Sequence, residues 1–120
     1  MKPAPFEYHV PDSIEQVLDL MSQHADEAKI LAGGQSLVSA MNFRVIQPSV
    51  VIDLNRVAEL SYIRAEGDVI RVGSMARERH LEFDSSIAKR TPLLTEAMPH
   101  IANPQIRNRG TIGGSIVHAD

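Results

Sequence analysis

The chain has 120 residues, 43% apolar and 4% aromatic, with no tryptophan and a formal net charge of −3. That length and apolar content allow one modest domain or two small lobes. Scattered Lys and Arg with so few rings exclude a stripe for a phosphate backbone or a base-stacking platform, so no nucleic-acid partner is expected.

From the start of the chain, Phe6 to Val10 reads as a short strand stopped by Pro11. Ser13 with Gln16 three residues on is a capping-box pattern, and Ile14, Val17, Leu18 and Met21 recur at helical spacing to about His24. Lys29-Ile30-Leu31-Ala32 is a compact apolar run that predicts a buried strand ending at Gly33-Gly34. Gln35-Ser36 opens a helix over Leu37 to Asn42, and Val50 to Leu54 is β-branched and strand-like. This β-α-β-(α)-β rhythm predicts a small parallel lobe over residues 1–56.

A second lobe, residues 57–120, begins with strands at Leu60 to Ala65 and Val69 to Val72 around the hairpin-length loop Glu66-Gly67-Asp68. Arg77 to His80 leads into a short helix, and Thr91-Pro92 starts another. Leu93, Leu94, Ala97, Met98 and Ile101 form its expected apolar face, with Pro99 kinking or dividing it. The lobe reads as unfinished at His118-Ala119-Asp120.

No cysteine is present, so disulfides, thiolate ligation of zinc or iron–sulfur clusters, and a cysteine nucleophile are excluded within this chain. The first residues lack a secretory h-region and no apolar run approaches a membrane span, so a soluble, cytoplasmic protein is expected.

Two glycine segments stand out, Ala32-Gly33-Gly34-Gln35-Ser36 and Thr111-Ile112-Gly113-Gly114-Ser115. Glycine tolerates positive φ, so successive amides at such a turn can converge on one anion, and a diphosphate suits a pair of them. Taken singly, each pair is better explained as an ordinary tight turn, and two similar segments together weaken that explanation without removing it. Neither segment is a Walker A or a G-x-G-x-x-G fingerprint.

Read as whole segments, the chain resembles the FAD-binding, medium subunits of the xanthine dehydrogenase and carbon monoxide dehydrogenase family of molybdenum hydroxylases. Ala28 to Leu37, Val51 to Asn55, Pro104 to Ser115 and His118-Ala119-Asp120 carry the resemblance, with a weaker match at Val72 to Ala76. It implies an α/β (α+β), two-lobed FAD-binding fold of the vanillyl-alcohol oxidase-like type, with a small βαβ lobe and an incomplete second α+β lobe. Family subunits are more than twice this length, so the chain reads as the front part of one, or as a truncated form. By position the FAD contacts are Ala32, Gly33, Gly34, Gln35 and Ser36, with Thr111, Gly113, Gly114 and Ser115. Leu31 and Leu37 border the cofactor, Ile101 and Ala102 pack near the flavin, and Asp120 reaches toward it. No catalytic residue and no metal ligand is assigned to this chain. The implied function is electron transfer from 2Fe–2S clusters on a small partner, through FAD, to an external acceptor. Substrate is oxidised on a large molybdenum-cofactor partner in a hetero-oligomer. A self-contained flavin oxidase or reductase on a related fold, and a non-catalytic remnant, are the alternatives.

Among other residues, Arg107-Asn108-Arg109 reads as backbone positioning or surface ion pairing before a phosphate contact. Asp53 reads as a strand-end or capping residue before a ribose ligand. The five histidines show no metal-binding spacing.

Overall fold

The structure is a computed structural model that describes residues 1–120. It divides into two compact units, Met1–Glu59 and Leu60–Asp120, and no helix is long and apolar enough to cross a membrane.

The first unit alternates strand and helix: β1 (Glu7–His9), α1 (Ile14–His24), β2 (Ala28–Leu31), α2 (Leu37–Asn42) and β3 (Val50–Asp53). The strands pair in parallel in the order β1-β3-β2, with His9 and Ile30 both opposite Ile52. Last in sequence, β3 is central, and all four of its residues are buried. That is why it reads as a continuous β-branched run rather than an alternating one. Ser13 caps α1 by accepting from the Gln16 amide, while the Gln16 side chain accepts from the Asp12 amide. The capping box thus closes one residue earlier than its usual form. Of the apolar positions expected to bury α1, only Val17 is buried; Ile14, Leu18 and Met21 are exposed.

The second unit opens with an antiparallel hairpin, β4 (Ile63–Glu66) and β5 (Val69–Val72), in which Glu66 faces Val69 across the two-residue loop Gly67-Asp68. Gly67 has φ +58°, the left-handed conformation such loops favour. Five short helices follow: α3 (Glu78–Phe83), α4 (Ser85–Arg90), α5 (Pro92–Ala97), α6 (Pro104–Arg109) and α7 (Ile112–His118). Each boundary has a local cause. Asp84 accepts from the Ile87 amide, Asn103 from the Ile106 amide and Thr111 from the Gly114 amide, and Pro92 and Pro104 sit in first turns. Pro99 divides its helix as expected: α5 stops at Ala97 and a 3₁₀ turn spans Met98–His100. The core gathers Leu81, Ile87 and Met98, with Ile63, Ile70, Val72, Leu94, Ile101 and Ile112 packed against it. Leu93, expected on the apolar face, is 75% exposed instead.

Candidate functional site

The first candidate segment leaves the sheet at Leu31, the last residue of β2. Leu31 also lines a small apolar cleft with Phe6, Tyr8, Val38 and Met41. The turn that follows is braced through its carbonyls. The Asn55 side chain donates to the Ala32 carbonyl at 3.0 Å, and the Gln35 side chain donates to the Gly33 carbonyl at 3.2 Å. Gly33 is buried, and Gly34 has φ +79°. A Cβ on Gly34 would stand 3.2 Å from Val38 Cγ2 and 3.3 Å from Leu31 Cδ1. The first internal donor after the turn is Val38, whose amide reaches the Gly34 carbonyl at 3.1 Å. The amides of Gly33, Gly34, Gln35, Ser36 and Leu37 donate to no group of the chain. Ser36 sits at the N-cap of α2 without a side-chain capping bond, and both it and Gln35 are exposed. Five donors left open within five residues suit a group rich in anionic oxygens, because burying them unpaired would be costly.

Asp53 ends β3 close in sequence to the Asn55 brace. It accepts from the Asn55 amide at 2.7 Å and from the Tyr8 hydroxyl. This is the strand-end role expected of it. The Tyr8 hydroxyl is pushed above its ordinary value, first by the hydrogen bond to the Asp53 carboxylate and then by partial burial.

The second candidate segment differs from the turn expected at Gly113-Gly114. Both glycines lie in the first turn of α7, and their amides are engaged. Gly113 donates to the Ser74 carbonyl at 2.9 Å, Ile112 to the Ala76 carbonyl at 3.1 Å, and Gly114 to the Thr111 hydroxyl at 3.1 Å. A converging nest of open amides is therefore absent there. The glycine at 113 answers a packing demand instead, since a Cβ would meet the Ser74 carbonyl oxygen at 2.7 Å. Ser115 is exposed as a residue, and its hydroxyl donates to Glu78 Oε1 at 2.5 Å. Glu78 is 1% exposed, its Oε2 lacks a partner, and a Cβ on Gly110 would come within 2.5 Å of that oxygen. Sequence reasoning did not single out Glu78, and only its place inside the polar Arg77–His80 stretch could have drawn notice.

Ile101 and Ala102 form a bend held from behind by Arg107. The guanidinium, 7% exposed, donates to the Ile101 carbonyl at 2.8 Å and pairs with Glu82 at 3.1 Å. Ile101 is half-buried, and Ala102 is exposed at φ +43°. Arg107 thus positions backbone, as expected. Asp120 is exposed, with an oxygen 4.0 Å from His118 Nε2. The histidines are not all unrelated in space: the rings of His9 and His24 lie 5.5 Å apart.

Residues 4–120 match the family model described as the FAD binding domain in molybdopterin dehydrogenase. The chain is 50% identical over its full length to the 6-hydroxypseudooxynicotine dehydrogenase complex subunit alpha of Paenarthrobacter nicotinovorans, covering 40% of that protein. It is 48% identical over 98% of its length to the carbon monoxide dehydrogenase medium chain of Hydrogenophaga pseudoflava, covering 41% of that chain. The solved carbon monoxide dehydrogenase of H. pseudoflava, in a form lacking the Mo-pyranopterin moiety, superposes with a TM-score of 0.98, over 100% of this chain and 42% of that one. The chain thus spans about two fifths of the relatives it matches.

Proposed function

The chain belongs to the family of FAD-binding domains in molybdopterin dehydrogenases, and from that membership we propose that it forms the front part of the electron-transferring medium subunit of a molybdenum hydroxylase. FAD is the cofactor of this domain family. The observation that carries the reading furthest is the run of five open amides from Gly33 to Leu37, beside a glycine in left-handed conformation. These fit the FAD diphosphate: the donors point to anionic oxygens, and the missing Cβ atoms permit close backbone approach.

In this reading Ala32, Gly33, Gly34, Gln35 and Ser36 hold the diphosphate, while Leu31 and Leu37 border the cofactor. Thr111, Gly113, Gly114 and Ser115 contribute by close approach and small side chains, because the amides of Gly113, Gly114 and Ser115 are already taken by the Ser74 carbonyl, the Thr111 hydroxyl and the Thr111 carbonyl. Ile101 and Ala102 lie against the flavin portion, and Asp120 reaches toward it. When bound, FAD supplies the capacity to take electrons that originate at a molybdenum centre and 2Fe–2S clusters on partner subunits and to release them to an external acceptor. The chain's own work is to bind and orient the cofactor. These 120 residues carry no cysteine, so no thiolate-held cluster sits on them, which agrees with that division of labour.

The test is the nucleotide released from the purified full-length protein. Close to one FAD per chain is expected, with copurifying subunits that carry molybdenum and iron. A folded full-length protein that neither contains FAD nor takes it up would end the reading.

A further inference from the structure

The sheet topology brings together three metal-ligating side chains that lie up to 17 positions apart in sequence, from Glu7 through His9 to His24. Residues two apart on a strand share a face, so Glu7 and His9 project to the same side of β1, one of the two edge strands of its sheet. Helix α1 returns from β1 toward the start of β2 and carries His24 in its last turn. One ligand atom from each of the three lies within 4.8 Å of the others. His9 Nε2 is 3.3 Å from Glu7 Oε2, and the two imidazole rings are 5.5 Å apart. Both histidines are half-buried and Glu7 is exposed, so the cluster opens to solvent on the carboxylate side.

We infer that Glu7, His9 and His24 form a binding site for a divalent cation of zinc type, a clamp between the edge strand and the end of α1. Zinc takes imidazole nitrogen and carboxylate oxygen at about 2.0–2.2 Å in tetrahedral geometry, which places neighbouring ligand atoms about 3.3–3.5 Å apart. The His9–Glu7 spacing already has that edge length. The remaining distances close with side-chain rotation on one exposed carboxylate and one helix-end histidine. Two imidazoles and a carboxylate make a three-ligand set whose fourth position is taken by water. A carboxylate–imidazole pair accounts for His9 and Glu7 and a tilted ring contact for His24 beside His9, whereas a cation would engage all three side chains at once. The cation would replace that pair and tie β1 to α1, two elements adjoining the edge of a three-stranded sheet.

The experiment uses tag-free, full-length protein stripped with a chelator and titrated with Zn²⁺ by calorimetry. Parallel titrations follow H9Q/H24Q, E7Q and the control H80Q/H100Q. The parent and the control should take up one more ion per chain than H9Q/H24Q, with micromolar dissociation constants. E7Q should weaken that ion by more than about tenfold, the loss typical of disturbing even groups behind the ligands. Equal uptake and affinity in the parent and H9Q/H24Q would overturn the inference. If H9Q/H24Q fails to fold, Co²⁺ on the parent decides. Visible absorption of tetrahedral intensity that E7Q alters supports the site, whereas only the weak absorption of six-coordinate cobalt refutes it.

Discussion

Replacing Gly34 by alanine isolates the feature on which FAD binding is argued to rest. The residue has φ +79°, and the new Cβ would stand 3.2 Å from Val38 Cγ2 and 3.3 Å from Leu31 Cδ1. Left-handed backbone costs an L-residue about 1–2 kcal/mol, and the two tight contacts require Val38 and Leu31 to give slightly. Part of that energy is lost from folding stability, and the turn relaxes to relieve the rest. In the relaxed turn the five open amides from Gly33 to Leu37 are displaced, and the energy so relieved must be supplied again each time FAD binds. About 1–2 kcal/mol is a factor of roughly 5–30 in affinity. The assay is fluorescence titration of flavin-free full-length protein with FAD, alongside denaturant unfolding. Gly67→Ala is the matched control: it has φ +58°, open space where the Cβ would go, and a place in the hairpin loop outside the candidate segments. Both variants should lose stability, and only Gly34→Ala should also lose FAD affinity. Wild-type affinity in Gly34→Ala, or an equal loss in Gly67→Ala, would refute the reasoning.

Three further outcomes are expected. Gly110→Ala forces a Cβ to within 2.5 Å of Glu78 Oε2, which should cost about 1–3 kcal/mol by overpacking. The cost should shrink when Glu78→Ala is added, as read from a double-mutant cycle in urea. Arg107→Ala or Glu82→Ala leaves one member of a buried ion pair alone and should cost about 3–5 kcal/mol; the double variant should lose less than the sum of the two. The raised Tyr8 pKa means that its hydrogen bond to Asp53 contributes stability in full below the ordinary phenol value near 10 and loses it as pH rises through the folded value. Stability should therefore fall more steeply in the parent than in Tyr8→Phe as pH rises from about 10 toward the folded value, measured by unfolding across the alkaline range.

Local chemistry that is strong and contiguous could be read directly from the residues. Ser13 with Gln16, the Val50-Val51-Ile52 run, Gly67 between two strands, and Thr91-Pro92 each specify their own conformation within a few positions. The segment at Gly113-Gly114 misled because glycine is a poor helix former. The Thr111 hydroxyl, the carbonyls of Ser74 and Ala76 and the tight approach to Ser74 override that weakness. The Asn103-Pro104 start of α6 was legible in principle as a cap followed by proline. Exposure of Leu18 and Met21 was not legible, since spacing says which side chains share a helix face and not whether anything covers it. The meeting of His9 with His24 and the link from Ser115 to Glu78 are products of topology, beyond any window of neighbouring residues. For the first glycine segment, sequence supplied the residue types, and the structure added the specific fact that five consecutive amides have no internal partner.

The central position of β3 also imposes an order of events during synthesis. Glu7 pairs with Val50 and Ala28 with the same residue, so neither earlier strand has a neighbour until the ribosome has released Asp53 and a little more. For that interval β1 and β2 both wait unpaired, and pairing them with β3 spans 43 positions of chain from Glu7 and 22 from Ala28, slow, non-local steps. Substitutions that slow the arrival of Val50–Asp53, or that make β1 sticky, should therefore register first as lost yield in the cell rather than as a lower melting temperature of what survives.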